Sequence, residues 1–494
     1  MVEQLDRLRY DLSRFLYGYN KIIFNFLTDS SQKIELHRVY KDFPDLFSKQ
    51  IFEQLKKISS TANSLQKNNI HKIESGLIHY YMESNTVDLL ASLKKSLWGK
   101  KEFRTLLNPI DREASLKDLN SLTKELDCLT SQFAELWKLW IEALQSINCQ
   151  DLNTFASSYL NNAHLEAKNI ANYIISSSDK LYTILLERYA NSLGLTANEL
   201  TYLDIILVLN FVDLYDNLPD EALALKCLNI LLEDLKINNL LDSIKYSIPS
   251  TLQKVKNVPC DIICPLIPID NIYIFITPSP TFSLYKRIFY TFGKAAIYSA
   301  TSENLAIENI HFGDPSIKYG FAYLFDLILD YKNFQSSYFA PKEMSISAER
   351  LLFTKLTLLL KIAGEALYEN KIINFPLNLP ISNLALAYTD LMKSILQIDV
   401  PSSYFLYNRD HNFRAIYALR GMAFALLFMH HLQSKFGSYW FLNKKAGYAI
   451  IELLECGTAY SINELIKDWG FNELIIELNY LIELICSESL ASFY

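Results

Sequence analysis

The chain has 494 residues, half of them hydrophobic, 13% aromatic and only 20% charged, which excludes a disordered protein and permits a large core. Its 13 glycines and 14 prolines make about 5% of the residues, where average usage is roughly 12%, so a loop-rich or β-rich protein is excluded too. The formal charge is −7 with the acidity spread along the chain, which leaves no electrostatic footprint for nucleic acid as a partner.

From Val2 to about Cys149 apolar residues recur at three and four, as in Leu5, Leu8, Leu12, Phe15 and Leu16, which predicts amphipathic helices. The N-terminal residues mix Glu3, Asp6, Arg7 and Arg9 with these leucines, unlike a signal peptide. Lys94, Lys95, Lys100, Lys101 and Arg104 surround Trp98, but Asp88, Glu102 and Asp111 interrupt the run, so it reads as a solvated face. A second helical stretch runs from Leu152 to about Leu240, broken at Gly194 and at Pro219.

Between Pro249 and Pro280 the composition changes, with six prolines and the runs Cys260 to Cys264 and Asn271 to Thr277. Prolines exclude a helix there, and the β-branched runs predict short strands in a small sheet around residues 258–278. Helical periodicity then returns to the end of the chain. The longest uncharged apolar stretches, such as Gly421 to Met429, are about half the ~18 residues a spanning helix needs. Seven cysteines, an odd number without a C-x-x-C pair, read as reduced thiols. A cytoplasmic protein with no membrane span and no cofactor is therefore expected.

No nucleophile elbow, phosphate-binding loop or metal motif stands in the chain. The order of segments is nonetheless informative: strands ending at Thr277, a helix from Tyr285 to Ser299, then Gly320-Phe-Ala-Tyr-Leu-Phe-Asp326. This order resembles the zinc oligopeptidases of the thimet oligopeptidase and oligoendopeptidase F type. There a strand pair leads into a helix bearing H-E-x-x-H-A, and the next helix carries the third ligand in E-G-F-A-x-L-F-E. Residues 320–326 match the second motif, Gly293 and Ala295 match the small residues of the first, and Arg420 to Trp440 resembles a closing helix.

The positions that carry the family's chemistry depart from it. Tyr290 and Lys294 stand at the histidines, Thr291 at the general-base glutamate and Tyr319 at the third ligand. The spacing is kept, with Tyr290 and Lys294 four apart and a gap of 25 from Lys294 to Tyr319. Zinc needs three deprotonated nitrogen, sulfur or carboxylate ligands, and lysine brings a positive charge instead. Thr291 cannot take a proton from a bound water. Downstream, Arg414 and Ala418 stand where the family has tyrosines, with Tyr417 one residue out of register.

The resemblance implies a mainly α, ellipsoidal body with a deep channel, its N-terminal half at 1–245, the β segment at 246–280 and its C-terminal half at 281–494. It also implies that no zinc is held and that the family's peptide hydrolysis is lost. The leading expectation is a metal-free pseudopeptidase binding a peptide or peptide-like ligand through Tyr290, Thr291, Lys294, Tyr319, Arg414 and Tyr417. Edge-strand pairing by Asn271 to Thr277 would supply backbone hydrogen bonds. One alternative is a repurposed enzyme in which Lys294, Tyr290, Tyr319 and Arg414 perform zinc-independent chemistry. Another is a partner-binding protein that uses only its surface. On the bland reading Lys294 is a satisfied side chain, with tyrosine hydroxyls and Asp326 around its ammonium. Arg409, Asp410, His411 and Arg414 form a polar knot that either caps a helix or takes a substrate carboxylate.

Overall fold

A computed structural model describes residues 2–28, 34–98, 112–210, 221–248, 261–277, 279, 282–339, 348–375, 382–407, 411–471 and 474. Helix α1 (Val2–Thr28) buries Leu5, Leu8, Leu12, Phe15 and Leu16, the stripe its periodicity predicts. Helix α2 (Ser64–Ser84) opens on a capping box: the Asn63 side chain accepts from the Gln66 amide at 2.9 Å and Gln66 answers at 3.1 Å. Helix α3 (Arg112–Ser146) leads to α4 (Ala163–Ser192), which ends two residues before Gly194, whose φ of +70° suits a residue without Cβ. Most of the basic run around Trp98 lies outside the described residues.

The sheet has three strands, β1 (Ile244–Ser247), β2 (Ile262–Ile267) and β3 (Asn271–Phe275), in the order β1-β3-β2. Two differences from expectation follow. Strand β1 precedes the proline-rich segment and straddles residue 245, and a four-residue Ile-Lys-Tyr-Ser strand gives too short a pattern to read. Strand β3 is central, parallel to β1 and antiparallel to β2, so both its ladders are filled and Asn271 to Phe275 is no edge for a peptide. Strand β2 is fastened to α1, where Asn20 donates to the Pro265 carbonyl at 2.8 Å and the Cys264 thiol donates to the Asn20 carbonyl at 3.1 Å. Cys260 lies outside the described residues.

The C-terminal half is built on α5 (Ser283–Ala300), α6 (Pro315–Ile328), α7 (Ala348–Ile373) and α8 (Arg414–Phe436). Helices α5, α6 and α8 meet almost backbone to backbone. A Cβ at Gly293 would lie 2.2 Å from the Phe321 carbonyl oxygen, and one at Gly421 would lie 2.6 Å from that of Ser316. Helix α8 is long and apolar enough to cross a membrane, but 78% of its most apolar window is buried inside the protein, where it is the central core helix. Helix α9 (Lys444–Glu455) and helix α10 (Ile462–Asp468) follow α8. The result is a mainly helical body with one small sheet and a hydrophobic core continuous through both halves.

Candidate functional site

A cleft of about 930 Å³ opens between α2 of the N-terminal half and α5, α6, α8 and α10 of the C-terminal half. Lys294, Tyr319, Arg414 and Tyr417 all line it. Tyr290 and Thr291 are not part of its wall. The Thr291 hydroxyl donates to the Arg287 carbonyl one turn earlier, at 2.6 Å, so it turns into its own helix. Tyr290 packs edge-on against Tyr323 at 5.2 Å, and burial, reinforced by Tyr323 and Tyr319, pushes its phenol well above the ordinary value.

Lys294 projects across from α5 to α6, with its Nζ 4.5 Å from the centre of the Tyr319 ring. A reciprocal contact lies beside it. Lys318, the neighbour of Tyr319, places its Nζ 4.7 Å from the ring centre of Tyr298, one turn after Lys294 on α5, and donates to the Tyr298 hydroxyl at 2.8 Å. Asp326, expected near Lys294, serves another lysine: it lies 3.5 Å from Lys286, which also pairs with Asp330 at 2.6 Å. Burial raises the Asp326 carboxyl to about 6 against the pull of Lys286.

Two further networks hold the wall. Arg420 is buried on α8, donating to Glu166 at 2.6 Å and to both Asp314 oxygens at 3.0 and 3.1 Å. Asp314 in turn caps α6 by accepting from the Ser316 amide at 2.9 Å. Helix α8 begins at Arg414, and its N-terminal amides at Ala415 and Ile416 donate to the Glu369 carboxylate of α7, at 3.2 and 3.0 Å. A distant glutamate thus caps the start of α8, one of the two roles that the sequence left open for the polar knot. Of that knot, Arg409 and Asp410 lie outside the described residues, and His411 sits in the cleft wall.

The half-buried His311 imidazole is pushed down to about 3 by burial and by Lys318, so it is neutral near pH 7. An unfolded imidazole takes its proton near pH 6.5. Between these values the unfolded chain binds more protons, so His311's contribution is intact above about pH 6.5 and is lost progressively as the pH falls through about 3. His311→Gln is expected to flatten the acid limb of a stability–pH curve over that window. An unchanged limb would show that His311 gains its proton freely in the fold.

These residues do not fit zinc. At the matched positions the donors are an ammonium lying over a ring, two phenols and a hydroxyl bonded back into its helix. Among the described residues, no three His, Cys, Asp or Glu side chains come together to hold a metal ion. Sequence reasoning missed Tyr298, Lys318 and Arg420 as parts of the site. Projection onto the helical face could have found Tyr298, which lies four after Lys294; Lys318 is adjacent to Tyr319 and so points to a different side of its helix, and no spacing signal marks it.

A scan against family models and a search of curated proteins both find no match. Solved structures do match over the whole fold. A protein from Bacillus anthracis assigned as an oligoendopeptidase F superposes with a TM-score of 0.67 at 12% identity, over 99% of this chain and 93% of that one. PZ peptidase A, solved with an inhibitor, gives 0.70 at 11% identity over 92% and 87%. Trypanosoma cruzi metallocarboxypeptidase 1 gives 0.60 at 12% identity over 97% of each chain. The fold is therefore that of the helical metallopeptidases, as the segment order led us to expect.

Proposed function

We propose that this chain binds a peptide or peptide-like ligand in its cleft and does not hydrolyse it, acting as a metal-free pseudopeptidase of the cytoplasm. One observation carries the reading. A cleft of about 930 Å³ lies in a fold shared with peptidases, while Lys294, Tyr290, Thr291 and Tyr319 stand at the positions that the resembling enzymes use for zinc and its water. Hydrolysis of that kind needs an ion to polarise the carbonyl and a base to take the proton of water. Lys294 repels the ion, and the Thr291 hydroxyl is committed to the Arg287 carbonyl. The fold shared with PZ peptidase A, which was solved with an inhibitor, supports a peptide-like occupant. The free cysteines support the cytoplasm.

Elemental analysis is expected to find no stoichiometric zinc, manganese or cobalt, and a chelator should leave the melting temperature unchanged. Quenched fluorescent oligopeptides should stay intact with or without added zinc. Uncleavable versions of the same peptides should still bind. Chelator-sensitive hydrolysis, or about one metal per chain, would overturn the reading.

A further inference from the structure

Six Lys and Arg side chains face three carboxylates in the cleft, a local excess that the overall charge of −7 conceals. The carboxylates are already engaged. Asp314 is held by Arg420, Glu464 accepts from the Ser461 amide at 2.7 Å, and Glu83 accepts from the Tyr19 hydroxyl at 2.8 Å. Among the described residues Lys294 and Lys318 form no ion pair, nor does Lys72; but Lys72 is held by the Asn309 side-chain oxygen at 2.8 Å and the Ala459 carbonyl at 2.6 Å, whereas Lys294 and Lys318 lie on the α5–α6 pair against tyrosine rings. Their contacts are to the Tyr319 and Tyr298 rings, the Tyr298 hydroxyl and, at 3.4 Å, the His311 carbonyl. His311, the titratable group beside Lys318, is neutral and supplies no counter-charge.

Both lysines are half-buried, so each ammonium has lost part of its hydration. A ring face and neutral oxygens return less than a counter-ion would. Two like charges projecting from the same helix pair also repel one another. An oxyanion in the cleft would relieve both costs, through charge-assisted hydrogen bonds in a partly desolvated site.

We propose that Lys294 and Lys318 bind an anionic group of the cleft's ligand, which makes that ligand an acidic peptide; this rests on the peptide-binding reading above. The locus that holds a metal cation in the resembling enzymes has the opposite charge preference here. A carboxylate or a phosphoryl group presents the required oxygens, and the test separates the two.

The experiment is fluorescence anisotropy of a labelled oligoglutamate against its oligoglutamine counterpart, with inorganic phosphate as competitor. Oligoglutamate should bind at least about tenfold tighter than oligoglutamine, as expected for a charge-assisted contact. Lys294→Met and Lys318→Met should each weaken it about tenfold, while Lys294→Arg retains most of the affinity. Salt should weaken it as well. The Lys→Arg variant keeps the charge, so a lost affinity cannot be confused with a lost fold. Equal binding of both peptides would overturn the anion site and leave the peptide reading standing. Lysine-dependent binding of phosphate without oligoglutamate would support the anion site and overturn the peptide reading. If neither anion binds, the proposal fails.

Discussion

Arg420→Ala is expected to destabilise the protein by ~3 kcal/mol, read as a lowered denaturation midpoint, because removing one partner of a buried ion network strands the others. Its side chain is only 6% exposed, and burial works against its charge, but Asp314 and Glu166 outweigh that and hold the guanidinium above its ordinary value. Without it, Asp314 and Glu166 would share a partly desolvated space with no cation between them. The cost falls at the low end of the range for such losses, since Glu166 keeps 22% exposure and still accepts from Asn463 at 3.0 Å. Adding Glu166→Gln to Arg420→Met should recover part of the loss, because it removes one of the stranded charges. A double variant as unstable as Arg420→Met alone would mean that the packing of the arginine stem, and not its charge, supports the wall.

Periodicity and motif spacing made much of this architecture legible. Apolar residues at three and four fixed α1, and the segment around residues 320–326 located α6 against α5, because both signals are local along the chain. Strand β1 was hidden by its four-residue length and by a position set through pairing with β3, which is non-local. The central place of β3 depends on that same missed strand. At the site, helical spacing correctly carried Lys294 and Tyr319 into one cleft, yet it also carried Thr291, whose hydroxyl the helix backbone claims. The charge of the cleft was illegible for a different reason. Lys72, Lys294, Lys318 and Lys467 are scattered in sequence, so a charge balance taken along the chain averages away what the fold gathers.

The helix contact beneath Lys294 gives the second large effect. A methyl group at Gly293 would stand 2.2 Å from the Phe321 carbonyl oxygen and 2.9 Å from the Cα of Ala322, and both are backbone atoms that no rotamer change can move aside. Gly293→Ala should therefore separate α5 from α6 and cost ~3 kcal/mol, at the upper end for overpacking. Gly437 supplies the comparison. Its φ of +86° strains any L-residue, but nothing lies within 4 Å of an added Cβ there, so Gly437→Ala should cost only about 1 kcal/mol. Because Lys294 follows Gly293 directly, moving α5 would also lift its ammonium off the Tyr319 ring. Gly293→Ala should thus weaken oligoglutamate binding even at temperatures where the chain is folded, while Gly437→Ala leaves binding unchanged. The close approach of α5 and α6 would be refuted by a Gly293→Ala protein as stable as Gly437→Ala, and its link to the cleft by undiminished binding in the folded variant.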